Sequence, residues 1–249
     1  SAAKTRLIPF EFSTTQTYVL EFGNNYIRFF KDKGQIFSSG SAYEISTPYL
    51  TAELFEIKFA QSADVMYLTH PNHEVMKLSR TGHTSWTLTE VAFTDGPYLP
   101  TNTTTTTLTP SSAATGSRNI TASAITGING GVGWLATDVG RIISFNSGKA
   151  KITARTSATV AVATVTTAFT NTDATEAFKL GAFSDTTGHP SCVSFFEQRL
   201  VFAGTTDEPQ TLYFSKSGDY ENMTTGTNAD DAMVYTIASN QVNKIRYLK

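Results

Sequence analysis

The sequence predicts an all-β protein: a partial β-propeller-like repeat of antiparallel hairpins with an inserted small β-barrel or sandwich domain. Three observations support this. Thr, Ser and Gly are plentiful and long helical patterns are absent. A strand–turn–strand motif recurs along the chain. A middle stretch lacks that motif and carries short Val/Ile/Thr-rich strands between Gly-rich turns.

The clearest copy of the motif is residues 195–215, FFEQRLVFAGTTDEPQTLYFS. Short apolar runs rich in β-branched and aromatic residues predict strands at 199–203 and 211–215. A polar segment with one Gly and one Pro, residues 204–210, joins them. The pattern is typical of an antiparallel hairpin with one buried face.

Similar stretches occur at residues 12–30, 59–79 and 239–248. Each copy has a glutamine just before an apolar strand: Gln16, Gln61, Gln198 and Gln241. Recurring hairpins favour a propeller or another repeat architecture; coincidence among ordinary hairpins is the alternative. The fourth copy stops after one strand, which leaves backbone groups unpaired. We therefore expect the natural polypeptide to continue, and we interpret Ser1-Ala2-Ala3 as a cloning remnant.

The composition limits the function classes. Of 249 residues, 40% are hydrophobic and 16% are charged, so the chain is globular but lightly charged. The formal net charge of −2 argues against nucleic acid as the main partner, because phosphate binding requires a basic surface. No apolar run approaches the roughly 20 residues of a membrane-spanning helix.

Further strands are expected at 42–46, 85–93 and 233–237, and a polar loop at 217–232. One helix is also predicted. In residues 51–59, TAELFEIKF, Thr51 suits an N-cap with an acidic residue in the first turn.

Composition divides the chain into three parts. Residues 1–98 and 184–249 carry the propeller-like repeats, and residues 99–183 form the inserted all-β domain. The boundary is marked by the Thr- and Ser-rich stretch 101–117, which is almost uncharged. An insertion requires its flanks, 93–97 and 183–190, to lie close together.

Chemical motifs are sparse. His70, His73 and His83 are close in sequence, but without cysteine or a paired carboxylate nearby we interpret them as solvent-exposed turn residues and not as a metal site. Asp219, Glu221, Asp230 and Asp231 lack the spacing of a calcium loop and are expected in a solvated loop. The glycines at 130–133 precede no helix, which indicates a β-turn and not a nucleotide loop.

Catalytic signatures are also missing. No nucleophile elbow or Cys/His pair of triad character occurs in the sequence. The single cysteine, Cys192, has few activating neighbours and is expected to be buried and structural. Trp134 and Tyr220 would stack on sugars if exposed, but core packing is the commoner fate of such aromatics. We therefore predict no enzyme and assign no catalytic, cofactor-binding or metal residues.

Four long segments carry a resemblance to known proteins: TRLIPFEFSTTQTYVLEFGNNYIRFF, FAQSADVMYLTHPNHEVMKLSRTGHTSWTLTEV, LATDVGRIISF and FEQRLVFAGTTDEPQTLYFSKSGDYENM. Together they resemble a family of tailed-phage and prophage tail proteins, of the tail-tube, hub or nozzle type found in short-tailed phages. The resemblance covers nearly the whole chain from Thr5. It implies a virion component made in the bacterial host cytoplasm, with a β-propeller and an inserted outer domain.

The resemblance further implies a homo-oligomeric ring around a DNA exit channel, with other tail or portal-adaptor proteins as partners and no cofactor. DNA would pass without specific binding, and no membrane would be involved. The alternative is a host-glycan receptor-binding or depolymerase tail protein, with the inserted domain around Trp134 as its binding surface.

Overall fold

A computed structural model describes residues 4–13 and 16–249 of the chain. Nearly all of its regular structure is β, arranged in several antiparallel sheets, and the all-β prediction is confirmed. The expected cloning remnant, Ser1-Ala2-Ala3, lies outside the described residues.

The chain separates into two compact units. Unit 1 comprises Ser1–Phe93 and His189–Lys249, and unit 2 comprises Thr94–Gly188. The middle unit therefore extends beyond the predicted 99–183 at both ends. Backbone contacts explain the difference, because Pro97 O accepts the Ala182 N–H at 2.9 Å and Tyr98 forms a β-bridge with Gly181. Pro97, at the end of the first flank, thus contacts Ala182, one residue before the second flank.

In its described residues, unit 1 contains three sheets and a small hairpin. The strands of the first sheet are β1 (Arg6–Ser13), β2 (Gln16–Gly23), β3 (Tyr26–Lys31), β4 (Gly34–Gln35) and β7 (Glu44–Ser46), and the hairpin is β5 (Phe37–Ser38) with β6 (Ser41–Ala42). The strand order in the first sheet is β1-β2-β3-β4, and β7 also pairs with β3.

The other two sheets are four-stranded meanders. The second contains β8 (Lys58–Ser62), β9 (Val65–His70), β10 (His73–Gly82) and β11 (Ser85–Glu90) in the order β11-β10-β9-β8. The third contains β18 (Cys192–Phe196), β19 (Arg199–Ala203), β20 (Thr211–Phe214) and β21 (Met233–Thr236) in sequence order. The strands predicted at 199–203 and 211–215 are therefore confirmed.

Three of the four expected repeat copies are antiparallel hairpins: β2–β3, β9–β10 and β19–β20. Each is preceded by one more antiparallel strand. The glutamines lie near the turn between the first and second strands, but at different positions. Gln16 begins β2, Gln61 lies in β8, and Gln198 lies in the turn itself with a φ of 59°.

The fourth copy is wrong, because residues 239–249 form no strand. This segment makes isolated contacts instead of a ladder: the Ile245 N–H donates to Pro209 O at 2.9 Å, and Gln210 Nε2 donates to Gln241 O at 3.3 Å. The sequence of residues 239–248 matches the motif, but β20 is already paired with β19 on one side and with β21 on the other. This segment therefore cannot pair with β20 as a further strand.

The predicted helix at 51–59 is also wrong. Residues 51–56 form successive turns in which Glu53 N donates to Leu50 O and Glu56 N donates to Glu53 O, and β8 begins at Lys58. Thr51 does not cap a helix, because its hydroxyl lies 3.3 Å from Asn24 Oδ1. Long-range contacts thus replace the local ones that a helix requires.

The core of unit 1 is aromatic. Trp86 stacks on Phe29 with centroids 4.5 Å apart and meets Phe10 edge-on at 4.8 Å and Tyr18 at 5.2 Å. These rings come from the first and second sheets, so the two sheets share one core. Five residues of β9 and all of β19 are buried. Such continuous burial indicates that both faces of these strands are covered.

Unit 2 is built on one six-stranded sheet. The strands are β12 (Leu108–Pro110), β13 (Gly116–Ala122), β14 (Ile142–Phe145), β15 (Gly148–Arg155), β16 (Val160–Thr167) and β17 (Lys179–Leu180), with 3-10 turns at Asn129–Gly131 and Ala136–Asp138. Their order in the sheet is β12-β13-β16-β15-β14-β17. Its core is mainly aliphatic and includes Trp134. Alternation is clear in β16, where Ala161, Ala163 and Val165 face the core.

Candidate metal centre

Two of the three histidines singled out in the sequence flank one tight turn. His70 ends β9 and His73 begins β10, and their ring centroids are 5.0 Å apart. His70 is fully buried and His73 is half-buried. The interpretation as solvent-exposed turn histidines is therefore wrong for this pair, because the turn is covered by other parts of unit 1.

The covering segment is the run of turns at 49–56. Glu53 Oε2 lies 3.0 Å from His73 Nε2, and the Tyr49 ring meets the His73 ring edge-on at 5.2 Å. A carboxylate oxygen of Glu53 and one ring nitrogen of each histidine all lie within 4.8 Å of one another. The sequence shows no cysteine or paired carboxylate near the histidines, but the fold brings the Glu53 carboxylate next to them.

His70 is held by one ring nitrogen only. Its Nδ1 accepts the backbone N–H of Asn72 at 3.1 Å. Its Nε2 is buried and has no hydrogen-bond partner within the described part of the chain. The nearest acidic group is Glu56, whose Oε2 lies 3.7 Å away and so outside hydrogen-bond range. Burying a polar atom unpaired is unfavourable, so this nitrogen needs an explanation.

The electrostatics follow from burial and neighbouring charge. Burial lowers the pKa of His70, and His73 lowers it further, against the opposing carboxylates of Glu53 and Glu56. Partial burial alone would raise the pKa of Glu53. Hydrogen bonds from the Leu50 N–H and from His73 outweigh that effect, so the pKa of Glu53 is lowered. The cluster therefore presents a carboxylate beside a neutral, buried imidazole.

His83 is separate from this cluster. It is exposed, and its Nδ1 lies 2.7 Å from the Tyr18 hydroxyl. The exposed-turn interpretation holds for this residue alone among the three.

The acidic residues of the 217–232 loop pair with cations or amides and do not converge on one point. Glu221 Oε1 lies 2.6 Å from Lys77 Nζ, and Lys216 Nζ lies 3.1 Å from Asp230 Oδ2 and 3.5 Å from Asp231 Oδ1. Asp219 accepts a hydrogen bond from Asn222. This arrangement agrees with a structured polar loop.

The glycan candidates differ in their placement. Trp134 is 0% exposed and packs in the core of unit 2, so it cannot stack on a sugar in this conformation. Tyr220 is half-buried and meets Phe195 edge-on at 4.9 Å. The nearby glycines at 130–133 begin in a 3-10 turn, and Gly130, Gly131 and Gly133 have positive φ.

Cys192 is 2% exposed, as expected for a structural thiol. Its Sγ lies 3.5 Å from the Ile245 carbonyl oxygen. Burial raises the pKa of this thiol, against smaller opposing effects from Ser191 and two lysines.

Sequence reasoning missed Glu53 and Tyr49 as partners of the histidines. Glu53 lies 20 positions before His73, and no fixed spacing connects them. The local signal at 51–59, Thr51 as an N-cap with an acidic residue in the first turn, favoured a helix and so did not indicate the turn that presents Glu53.

No protein-family model matches the sequence, and no curated protein matches it significantly. Among the described residues, no helix is both long and apolar enough to cross a membrane.

Proposed function

We propose that this chain is a structural component of a bacteriophage or prophage tail, of the nozzle or hub kind, and that it forms part of an oligomeric tube through which DNA passes. The observation that carries the proposal is the repeated meander. Three antiparallel repeats of one kind occur in unit 1. Along the chain, unit 2 is inserted between the second and the third of these repeats.

The sheet geometry supports the repeat. Four-stranded antiparallel meanders are the blades of β-propellers, and the second and third sheets have this topology. The second sheet also contacts both others in unit 1. It shares the aromatic core with the first, while Tyr67 meets Phe195 and its hydroxyl donates to Glu221 Oε1 at 3.0 Å. Neighbouring repeats that share a buried core in this way are typical of repeat architectures.

Exposed edges supply surface for assembly. β1 and β21 lie at the edges of their sheets and carry exposed apolar side chains, among them Leu7 at 63% and Tyr235 at 62%. Soluble proteins usually protect such edges with charge or coverage. Packing of these edges against neighbouring chains would cover them, and rotationally repeated heterologous contacts close a ring.

The charge is compatible with DNA passage. The formal net charge is −2, so the protein offers little attraction for phosphates. We therefore expect no retention of duplex DNA in a mobility-shift assay at physiological salt. Tight, salt-sensitive binding would contradict a passive channel role.

The decisive experiment is a search for this protein in virions. Particles would be purified from the host that carries the reading frame and analysed by mass spectrometry and electron microscopy. We expect peptides from both units in the particle and density for the protein on the tail axis. Absence from intact, infectious particles would refute the proposal, whereas a ring of the protein on the tail axis would support it.

A further inference from the structure

The cluster of Glu53, His70 and His73 has the donor set of a zinc site. Zinc in proteins is bound by imidazole nitrogens and carboxylate oxygens at about 2.0–2.2 Å, so tetrahedral ligand atoms lie about 3.3–3.6 Å apart. The separations of 3.0 Å between Glu53 Oε2 and His73 Nε2, and of 3.7 Å between Glu56 Oε2 and His70 Nε2, fall on either side of that range.

A second observation points to a ligand. His70 is fully buried, and its unpartnered Nε2 lies among the two carboxylates and the second imidazole. A coordinated cation would give this nitrogen a partner and would neutralise the carboxylates. Mixed nitrogen and oxygen donors favour zinc over magnesium or calcium, which prefer oxygen alone.

We propose that Glu53, His70 and His73 bind one zinc ion, and that Glu56 lies beside its fourth coordination position. The ion would connect the turns at 49–56 to the β9–β10 hairpin, and so would stabilise unit 1. This inference is independent of the tail function proposed above.

Binding requires defined proton movements. In the hydrogen-bonded pair, a proton lies between His73 Nε2 and Glu53 Oε2, and zinc would take its place and release it to solvent. The neutral His70 ring carries its proton on Nε2, because Nδ1 accepts the Asn72 N–H. Zinc at Nε2 therefore requires that proton to move to Nδ1 through solvent, and the Asn72 amide must turn away.

The test is calorimetric titration of zinc chloride into the untagged 249-residue chain after chelator treatment. We expect one zinc per chain. H73Q and E53Q should bind at least about 100-fold more weakly, because each removes a direct ligand and outer-sphere changes alone cost 10–100-fold. H83Q is the matched control and should bind like the wild type, because His83 is exposed and outside the cluster. E56Q should weaken binding less than E53Q.

A second measurement keeps the test valid if a variant misfolds. In the wild-type protein, zinc should shift the NMR signals of the Asn72 amide and the His70 and His73 rings, and leave the His83 ring unchanged. Cobalt(II) in place of zinc should give the strong visible absorption of a tetrahedral site. Failure of the wild type to bind stoichiometrically, or equal binding by the wild type, H73Q and E53Q, would overturn the proposal.

Discussion

Within the described residues, each unit buries one arginine, and the polar groups of the two arginines are bonded in different ways. In unit 2, Arg141 is 1% exposed and forms an ion pair with Asp138, with 3.0 Å between Nη1 and Oδ1. Its Nη1 also donates to Asn129 Oδ1 at 2.6 Å, and its Nε donates to Gly181 O at 2.8 Å. In turn, Asp138 Oδ2 accepts hydrogen bonds from the Leu135 N–H and Asn129 Nδ2.

In unit 1, Arg199 is 6% exposed and is held by backbone carbonyls. It donates to Ser215 O at 2.7 Å and to Asp231 O and Ala229 O at 2.6 Å each. Arg141 thus balances a buried charge within a local turn, whereas Arg199 fixes a polar loop to the third sheet. The comparison teaches that the same side chain serves as half of an ion pair in one unit and as a clamp on the backbone in the other.

The largest effect is expected from breaking the ion pair. Asp138→Ala leaves Arg141 charged and buried without its counter-ion, which should lower the free energy of unfolding by about 3–5 kcal/mol. Urea unfolding followed by tryptophan fluorescence, in a Trp86→Phe background, would measure this loss of stability. Trp134 is then the remaining tryptophan and reports on unit 2 alone. Asp173→Ala is the control, because Asp173 is exposed and should change stability by no more than about 0.5 kcal/mol. A loss equal to that of the control would show that the pair is not buried in solution.

A smaller loss of stability is expected from weakening the bonds of Arg199 to the three backbone carbonyls. Arg199→Lys keeps the charge but cannot reach three separate carbonyls, and hydrogen bonds to charged groups contribute about 1.5–3 kcal/mol. Hydrogen exchange should accelerate at the Ser217 and Ala232 amides, which are bonded to Asp230 O and Thr224 O within the loop.

Arg118→Lys is the matched control for the clamp. Arg118 also donates to three carbonyls, those of Ala114, Thr115 and Ser117, but the residue is only half-buried and these hydrogen bonds are exposed, so water would replace the lost bonds. We expect it to change stability by about 0.5 kcal/mol or less. Equal losses of stability for Arg199→Lys and Arg118→Lys would mean that burial of the arginine does not determine the cost of the substitution.

The sequence predicted the features that depend on local pattern. The hairpin at 199–203 and 211–215 combines short apolar runs, β-branched and aromatic residues and a Gly- and Pro-containing turn, so neighbouring residues were sufficient to predict its strands, although β19 is buried on both faces and not on one. The stretch 51–59 failed because Thr51 bonds Asn24 and Glu53 bonds His73, and both partners are distant in the chain. The predicted exposure of His70 was wrong for the same reason, since its burial depends on the distant segment that covers it.

The two tryptophans, one in each unit, allow a similar comparison of a bonded and an unbonded polar group, with smaller expected changes in stability. The Trp86 indole N–H donates to His83 O at 3.2 Å, whereas the buried Trp134 Nε1 has no partner among the described residues. Trp134→Phe removes an unsatisfied donor together with some packing, so these effects oppose and the net change should be within about 1 kcal/mol. Trp86→Phe removes a satisfied donor and should cost about 1 kcal/mol more. Urea unfolding followed by circular dichroism would measure both, and the reverse order would show that Trp134 is hydrogen-bonded in solution.

At Cys192 the expected result concerns the reactivity of the thiol and not the stability of the protein. Burial raises the pKa of its thiol above the ordinary value of 9.0, so the reactive thiolate is scarcer at pH 8 than in an exposed cysteine. Access is restricted too, because only 2% of the residue is exposed. Labelling with a thiol reagent should therefore be slow in the native protein between pH 7 and 9 and rapid in urea. A native rate that matches the unfolded rate and follows an ordinary thiol titration would show that the segment around Ile245 opens freely, because that segment's carbonyl oxygen lies 3.5 Å from the sulfur.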